Sequence, residues 1–240
     1  MIIWLASYPR SGNTFFRILI NQFYGIKTYS IYDDPLFDRL TGVADVVGHQ
    51  KREISYERMM ASEKIFLVKT HYLPSDDCPA IYLVRDGRDS LVSYAHYILS
   101  FQEKSPRKTW EDKIKSIVGW NEFDFILKKL IVSSDCDYGS WSQNVEKWNK
   151  RGEFTFLIRF EDLIKEPLYQ LELAIEHLSM KYFFCRKHNQ LPSFEELHKK
   201  WPQFFRKGKS EGWKGEMSQE LQYLFWQHHG EVMQKLGYEQ

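Results

Sequence analysis

Three stretches of this chain gather cations, hydroxyls and glycine in the way an anion requires, and a fourth carries an imidazole. The first is Tyr8-Pro9-Arg10-Ser11-Gly12-Asn13-Thr14. Arg10 supplies a fixed positive charge with several donors, Ser11 and Thr14 supply hydroxyls, and Gly12 lets the backbone come close to a phosphate. In the second, Arg85 is followed eight residues later by Ser93; together they can hold a phosphate dianion by charge-assisted hydrogen bonds. In the third, Phe205-Arg206-Lys207-Gly208-Lys209 and then Gly212-Trp213-Lys214 put four positive charges into nine residues, and these repel one another unless water or an anion screens them. The fourth is Lys69-Thr70-His71. Its imidazole suits general-base work near neutral pH, and Lys69 suits negative charge growing on a leaving oxygen.

Each stretch also has a plainer reading. A Pro and a Gly together are common in a tight strand-to-helix turn that binds nothing. Arg85-Asp86-Gly87-Arg88-Asp89 reads equally as a surface network of ion pairs, worth little to stability. A charge run is usually a solvated loop, and His71 is one of eight histidines. The pattern GxxxxGK[ST] is absent, because the cation of the first stretch precedes its glycine and no lysine follows. That counts against an ATP-using kinase.

The elements that must position these groups are legible from periodicity. Residues 2–6 form an apolar run that suits a strand buried on both faces, and residues 65–68, 80–84 and 154–160 are three further strand candidates. Phe16, Leu19, Ile20 and Phe23 recur at helical spacing after a start near Asn13 or Thr14, and Gly25 is a natural stop. Leu91, Val92, Ala95, Ile98 and Leu99 make an apolar stripe that leaves Ser93 off it, free to face the same cleft as Arg85. Further helices are expected at 110–118, 140–149, 168–178 and 219–235, and Ser193 with Glu196 reads as a capping box. Strands alternating with helices imply an α/β fold of three layers, with a central, mostly parallel sheet flanked by helices and a P-loop-like strand-loop-helix at its start. Ligands in such sheets bind beyond the carboxyl ends of the strands, which is where Arg85 and His71 fall. The stretches near 27–60 and 101–138 lack strand signals and are expected to be insertions or lids over the site.

Composition narrows the class. The 240 residues suit one domain spanning 1–240, and 43% hydrophobic content supports a sizeable core. A net charge of +1 is too balanced for a bulk nucleic-acid binder, so any anion site must come from local clustering. Cys78, Cys136 and Cys185 are odd in number and form no CxxC pair, which fits reduced thiols in the cytoplasm. No run reaches the length of a membrane span, and the N-terminus lacks the basic region of a signal peptide. Tyr32, Phe37, Tyr97, Phe101, Trp110 and Trp120 are either the wall of an apolar pocket or core.

The order of the motifs is more specific than any one of them. Tyr8 through Phe15 resembles the 5′-phosphosulfate loop of the sulfotransferases that use 3′-phosphoadenosine 5′-phosphosulfate (PAPS). Lys69-Thr70-His71 resembles that family's Lys-Thr-His segment, and Arg85 through Ser93 its 3′-phosphate motif with the same spacing. Tyr138-Gly139-Ser140-Trp141 with Val145 and Trp148, Arg159-Phe160-Glu161-Asp162-Leu163, and Arg206-Lys207-Gly208 with Gly212-Trp213-Lys214 resemble three later segments of the family, in the family's order. The chain is similar to the short bacterial cytosolic members, including those that tailor natural products in secondary metabolism.

The resemblance implies sulfuryl transfer from PAPS to a hydroxyl or amine of a small molecule, with adenosine 3′,5′-bisphosphate (PAP) as product and no metal, nucleic acid or membrane partner. It implies that Arg10, Ser11, Gly12, Asn13 and Thr14 wrap the 5′-phosphosulfate and that Phe15 lies near the adenine. Arg85, Ser93, Arg206, Lys207 and Gly208 would hold the 3′-phosphate, and Phe160 would border the nucleotide. His71 would be the base, with Lys69 and Arg10 stabilising charge. Three departures stand out: Arg10 occupies the place of the usual Lys, Phe160 that of the usual Tyr, and no dimer signature is legible after Lys214, which leaves the oligomeric state open. The rival readings are a P-loop nucleotide kinase and a non-catalytic nucleotide-binding protein of the same fold.

Overall fold

The structure is a computed structural model that describes residues 1–32, 41–102, 121–134, 136–178, 191–202, 205, 206 and 208–240. The expected helix at 110–118, together with Phe37, Trp110, Trp120, Cys185 and Lys207, lies outside the described residues.

The first strand, β1 (Ile2–Ser7), is buried along its whole length. It is the middle strand of a five-stranded sheet, in the order β2 (Tyr29–Ser30), β3 (Phe66–Thr70), β1, β4 (Ala80–Val84), β5 (Thr155–Arg159). All four pairings are parallel, with Ala6 opposite Thr70, Ser7 opposite Leu83 and Val84 opposite Arg159. Parallel strands need crossovers, and these coat both faces of the sheet. Alternation along β1 divides the core. Ile3 and Leu5 face α1 (Asn13–Tyr24), which brings Phe16, Leu19, Ile20 and Phe23, and α8 (Pro167–His177), which brings Leu171 and Ala174. Ile2, Trp4 and Ala6 face a larger cluster on the other side. That cluster is built from α4 (Gly87–Gln102), α5 (Glu122–Val132), α6 (Trp141–Asn149) and α10 (Gln219–Lys235). Short helices α2 (Val43–Val47), α3 (Tyr56–Ala61), α7 (Phe160–Lys165) and α9 (Phe194–Lys200) complete the connections. No helix among the described residues is long and apolar enough to cross a membrane.

Several expectations shift by a few residues, each for a physical reason. The third strand runs on through Lys69 and Thr70, because pairing with β1 continues to Ala6–Thr70. Phe160 opens α7 instead of closing β5. The 27–60 stretch does hold a strand, but β2 has two residues at the sheet edge and carries no periodicity. The 101–138 stretch holds α5, whose signals are present in the sequence. The Asn121 side chain accepts from the Asp124 N–H at 2.8 Å, and Ile126, Leu127 and Ile131 are buried at helical spacing.

The alternative reading of Arg85 to Asp89 as a surface network does not hold, because the ion pair at Arg88 is interior. Asp86, Arg88 and Asp89 are all buried. The Arg88 guanidinium donates to the Asp86 carboxylate at 2.8 to 3.2 Å and to the Glu239 carbonyl at 2.8 Å, and it lies 3.9 Å from the centre of the Trp213 ring. Removing one partner of a buried pair leaves a charge uncompensated. Arg88→Ala is therefore expected to lower stability by about 3–5 kcal/mol in urea unfolding. A loss below ~1 kcal/mol would show the pair to be no stronger than an exposed one.

Candidate active site

Because every strand runs the same way, the loops after β1, β3, β4 and β5 emerge at one edge of the sheet. There they surround a cavity of about 660 Å³. Arg10 comes from the first loop, His71 from the residue after β3, Arg85 from the residue after β4 and Phe160 from the residue after β5. Arg206 and Gly208 close the cavity from far along the chain.

The first loop is shaped by two residues in left-handed backbone conformation, Arg10 at φ 67° and Gly12 at φ 99°. Only glycine fits at position 12, where a Cβ would lie 2.6 Å from the Phe160 ring. Asn13 ties the loop to the strand it leaves, donating to the Leu5 carbonyl at 2.8 Å while its own Oδ1 finds no partner. Arg10 Nε donates to Ser93 Oγ at 3.2 Å, and its guanidinium lies over the Tyr97 ring. Burial, reinforced by Arg85 and Arg206, lowers Arg10 to about 10, so it is still charged at neutral pH. Gly12, Asn13, Thr14 and Phe15 line the cavity. Ser11 does not: its hydroxyl lies 3.2 Å from that of Ser90, beneath the loop, which leaves Ser11 its backbone N–H as donor.

Arg85 joins the first and third cationic stretches. It donates to the Arg10 carbonyl at 3.3 Å and to the Lys209 carbonyl at 2.8 Å, and it lies on the Phe160 ring with 4.5 Å to the centroid. Asp89 completes the clamp by accepting the backbone N–H groups of Glu211 at 2.8 Å and Trp213 at 3.0 Å. The basic segment is therefore held against the start of α4 and is not a free solvated loop. Gly208, at φ 59°, fits where a Cβ would meet the Phe194 ring at 2.2 Å. Arg206 spends Nη1 on Glu216 at 2.9 and 3.1 Å. The Nε atoms of Arg85 and Arg206 are buried without hydrogen-bond partners, although both residues line the cavity. Unsatisfied buried cationic donors are costly, and an anion in the cavity would satisfy them.

His71 is held in one tautomer. Its Nδ1 lies 2.7 Å from the Ser7 carbonyl, which can only accept, so Nδ1 carries the proton and Nε2 keeps the lone pair. Burial first, then Lys69, Arg10 and Arg17, hold this imidazole down to about 3, against a partial upward pull from Ser7. It is neutral over the whole physiological range. Tyr32 stacks on the ring at 5.9 Å and also lies under the Lys69 ammonium at 5.2 Å. Tyr72, Tyr94, Tyr97 and Tyr138 extend an aromatic wall from there, with the Tyr94 and Tyr138 hydroxyls 2.7 Å apart. Of the aromatics left undecided by sequence, Tyr32 and Tyr97 belong to this wall.

Asn144 is a site residue that sequence reasoning missed. Fully buried on α6, it donates to the His71 carbonyl at 2.9 Å and the Tyr138 carbonyl at 2.8 Å, and it accepts from the Tyr82 hydroxyl at 2.9 Å. One amide thus fixes the backbone of the imidazole and of the aromatic wall together. A lone Asn in an amphipathic helix gives no signal of this beyond lying on its apolar face beside Val145 and Trp148.

Comparison with known proteins gives a consistent picture. The family model of the sulfotransferase domain matches residues 2–237. Sulfotransferase 1 family member D1 of Mus musculus is 24% identical over 245 residues, covering 90% of this chain and 78% of that protein. Sulfotransferase 1E1 of Rattus norvegicus is 26% identical over 261 residues, covering 94% and 81%. Among solved structures, mouse sulfotransferase SULT7A1 complexed with PAP has a TM-score of 0.60 at 19% identity, covering 97% of this chain and 83% of that one. Retinol dehydratase in complex with androsterone and inactive cofactor PAP has a TM-score of 0.58 at 16% identity, covering 97% and 80%. At these identities the structural likeness speaks to the fold.

The environment of His71 sets a measurable pH dependence. An unfolded histidine takes up its proton near 6.5, whereas this one does so at about 3 in the folded chain. Between those values the unfolded state binds more protons, so stability is full above pH 6.5 and falls as the pH drops through the window. Buried His229, lowered to about 4, acts in the same direction. In ¹⁵N spectra of imidazole-labelled protein, the His71 signals should keep the pattern of the Nδ1–H neutral form down to pH 5. A titration midpoint near 6.5 would contradict this environment.

Proposed function

The chain belongs to the sulfotransferase domain family, and from that membership we propose how its own residues divide the work of a PAPS-dependent sulfuryl transfer to a hydroxyl of a small molecule. PAPS supplies the sulfuryl group together with a phosphate leaving group. His71 Nε2 takes the proton of the acceptor hydroxyl as the acceptor oxygen forms its bond to sulfur, and Nδ1–H stays donated to the Ser7 carbonyl throughout. The bond between sulfur and the bridging oxygen breaks, and its electron pair goes to the 5′-phosphate. Arg10, Lys69 and the backbone N–H groups of the loop from Ser11 to Thr14 face that growing charge, a preorganised electrostatic arrangement. Arg10 cannot hand over a proton at neutral pH, so it stabilises charge and leaves proton donation aside.

Arg85, Ser93, Arg206 and Gly208 take the 3′-phosphate, with Phe15 and Phe160 beside the nucleotide. Lys207, expected in the same group, lies outside the described residues. The tyrosine wall takes the acceptor. Residues 1–240 act as one domain, and the free thiols of Cys78 and Cys136 suit work in the cytoplasm. The observation that carries this assignment is a single cavity in which a neutral imidazole with unengaged Nε2 sits beside two arginines whose buried Nε atoms lack partners. The bound PAP in two structural relatives supports the same nucleotide. A kinase is not favoured, since the family match and the missing Walker lysine point the same way.

Calorimetric titration with PAP and with 5′-AMP separates the 3′-phosphate contribution, since the ligands differ only there. PAP should bind more tightly by roughly 10–100-fold, and Arg85→Ala should remove most of that preference; equal affinities would sink the assignment. His71→Ala should lower turnover by about 10²–10⁴-fold with PAP affinity nearly intact. If PAP affinity collapsed instead, His71 would be a structural residue.

A further inference from the structure

One carboxylate stands close to the cationic end of the cavity without belonging to its lining. Glu216 follows the tight turn Gly212–Gly215, and that turn is fixed to α4 by the two N–H bonds to Asp89. Its N–H is bonded back to the Trp213 carbonyl at 2.9 Å, so backbone and clamp together fix where the side chain begins. The carboxylate accepts Arg206 Nη1 on both oxygens, at 2.9 and 3.1 Å. On its other flank it meets Nε2 of His96, which extends from α4 with its ring 4.6 Å from that of Phe123 on α5. The carboxylate is largely buried, with 18% of its side chain exposed.

A negative charge beside a phosphate site needs an explanation, because by charge alone it opposes the ligand. The geometry supplies one. An unrestrained arginine loses much rotamer freedom when a ligand orders it. Here Glu216 takes that loss in advance, since it holds Nη1 of Arg206 and leaves the Nε of that arginine buried without a partner at the cavity wall. A guanidinium pinned at one terminal nitrogen presents its remaining donors in a fixed plane, which suits the oxygens of a phosphate.

We propose that Glu216, with His96 behind it, is a positioning residue for the nucleotide: it holds Arg206 in the orientation that recognises the 3′-phosphate. This rests on the assignment of that phosphate to Arg85 and Arg206. It adds a residue that touches neither the nucleotide nor the acceptor yet sets the preference for a 3′-phosphorylated donor. His96 carries a smaller share, because it acts on Arg206 only through the shared carboxylate.

The test is the ratio of PAP to 5′-AMP affinity in the intact protein and in Glu216→Ala, Glu216→Gln and His96→Gln, with the thermal midpoint of each. In Glu216→Ala the ratio should fall roughly tenfold while 5′-AMP affinity stays level. Glu216→Gln, whose amide oxygen still accepts from Nη1, should keep most of the ratio, and His96→Gln should lie between that variant and Glu216→Ala. An unchanged ratio in Glu216→Ala would overturn the proposal. So would tighter PAP binding, which would make the carboxylate a simple electrostatic opponent of the phosphate. So would a parallel loss of both affinities with a lowered midpoint, the mark of a merely structural role. If the unaltered protein shows no preference for PAP, the phosphate assignment itself falls. A preference present there but untouched in Glu216→Ala overturns only the part given to Glu216.

Discussion

Arg10, Arg85 and Arg206 share one cavity, and the repulsion among them is the condition that the surrounding structure must meet. Arg206 depresses the proton affinity of both Arg10 and Arg85, and Arg85 depresses that of Arg10. The chain answers mainly with weak, distributed partners. Carbonyls of Arg10 and Lys209 take Arg85, the rings of Tyr97 and Phe160 lie under two of the guanidinium groups, and a serine hydroxyl takes Arg10. Carboxylates take part as well, with Asp89 3.7 Å from Arg85 and Glu216 paired with Arg206 at 2.9 Å. Even so, the Nε atoms of Arg85 and Arg206 stay buried without partners, and an anion in the cavity would satisfy them.

The same field shapes the chemistry. Lys69 and Arg10, acting on top of burial, keep His71 unprotonated, and the Ser7 carbonyl decides which nitrogen holds the lone pair. An imidazole held down to about 3 is only weakly basic. A polyanion next to Lys69 and Arg10 would offset the charges that depress it, so in the proposed transfer the nucleotide would also raise the basicity of His71. Arg10 itself stays cationic, at about 10 despite burial.

Much of the fold could be read from the chain, because the central strand of a parallel sheet is apolar on both faces and stands out at residues 2–6, and because the stripes of α1, α4 and α10 repeat at helical spacing. The two-residue β2 carries no such pattern, and α5 was overlooked despite a clear cap at Asn121. In the site, the positions that bear charge announced themselves by type and spacing. Those that organise the charges did not. Asp86 and Arg88 looked like surface ion pairs, yet tertiary packing buries them between the sheet end and the C-terminal helix. Asn144 owes its place to a partner 73 residues away, a relation that no local window contains. Ser11 shows the converse: its residue type fits a phosphate donor, but the loop turns its hydroxyl inward to Ser90.

The bonds from Asp89 to the N–H groups of Glu211 and Trp213 span 122 and 124 residues of sequence. They have a consequence for the order of events in the cell. The ribosome delivers the strand-loop-helix that begins the anion site early, but the segment that closes the site emerges on the order of ten seconds or more later at ordinary rates of synthesis. Until then the arginines of the first two stretches stand exposed without the turn that encloses them. The proposed nucleotide site is thus complete only once both segments have been made. A bound nucleotide would join an earlier-made and a later-made part of the chain, and any opening of the closing segment would have to release it first.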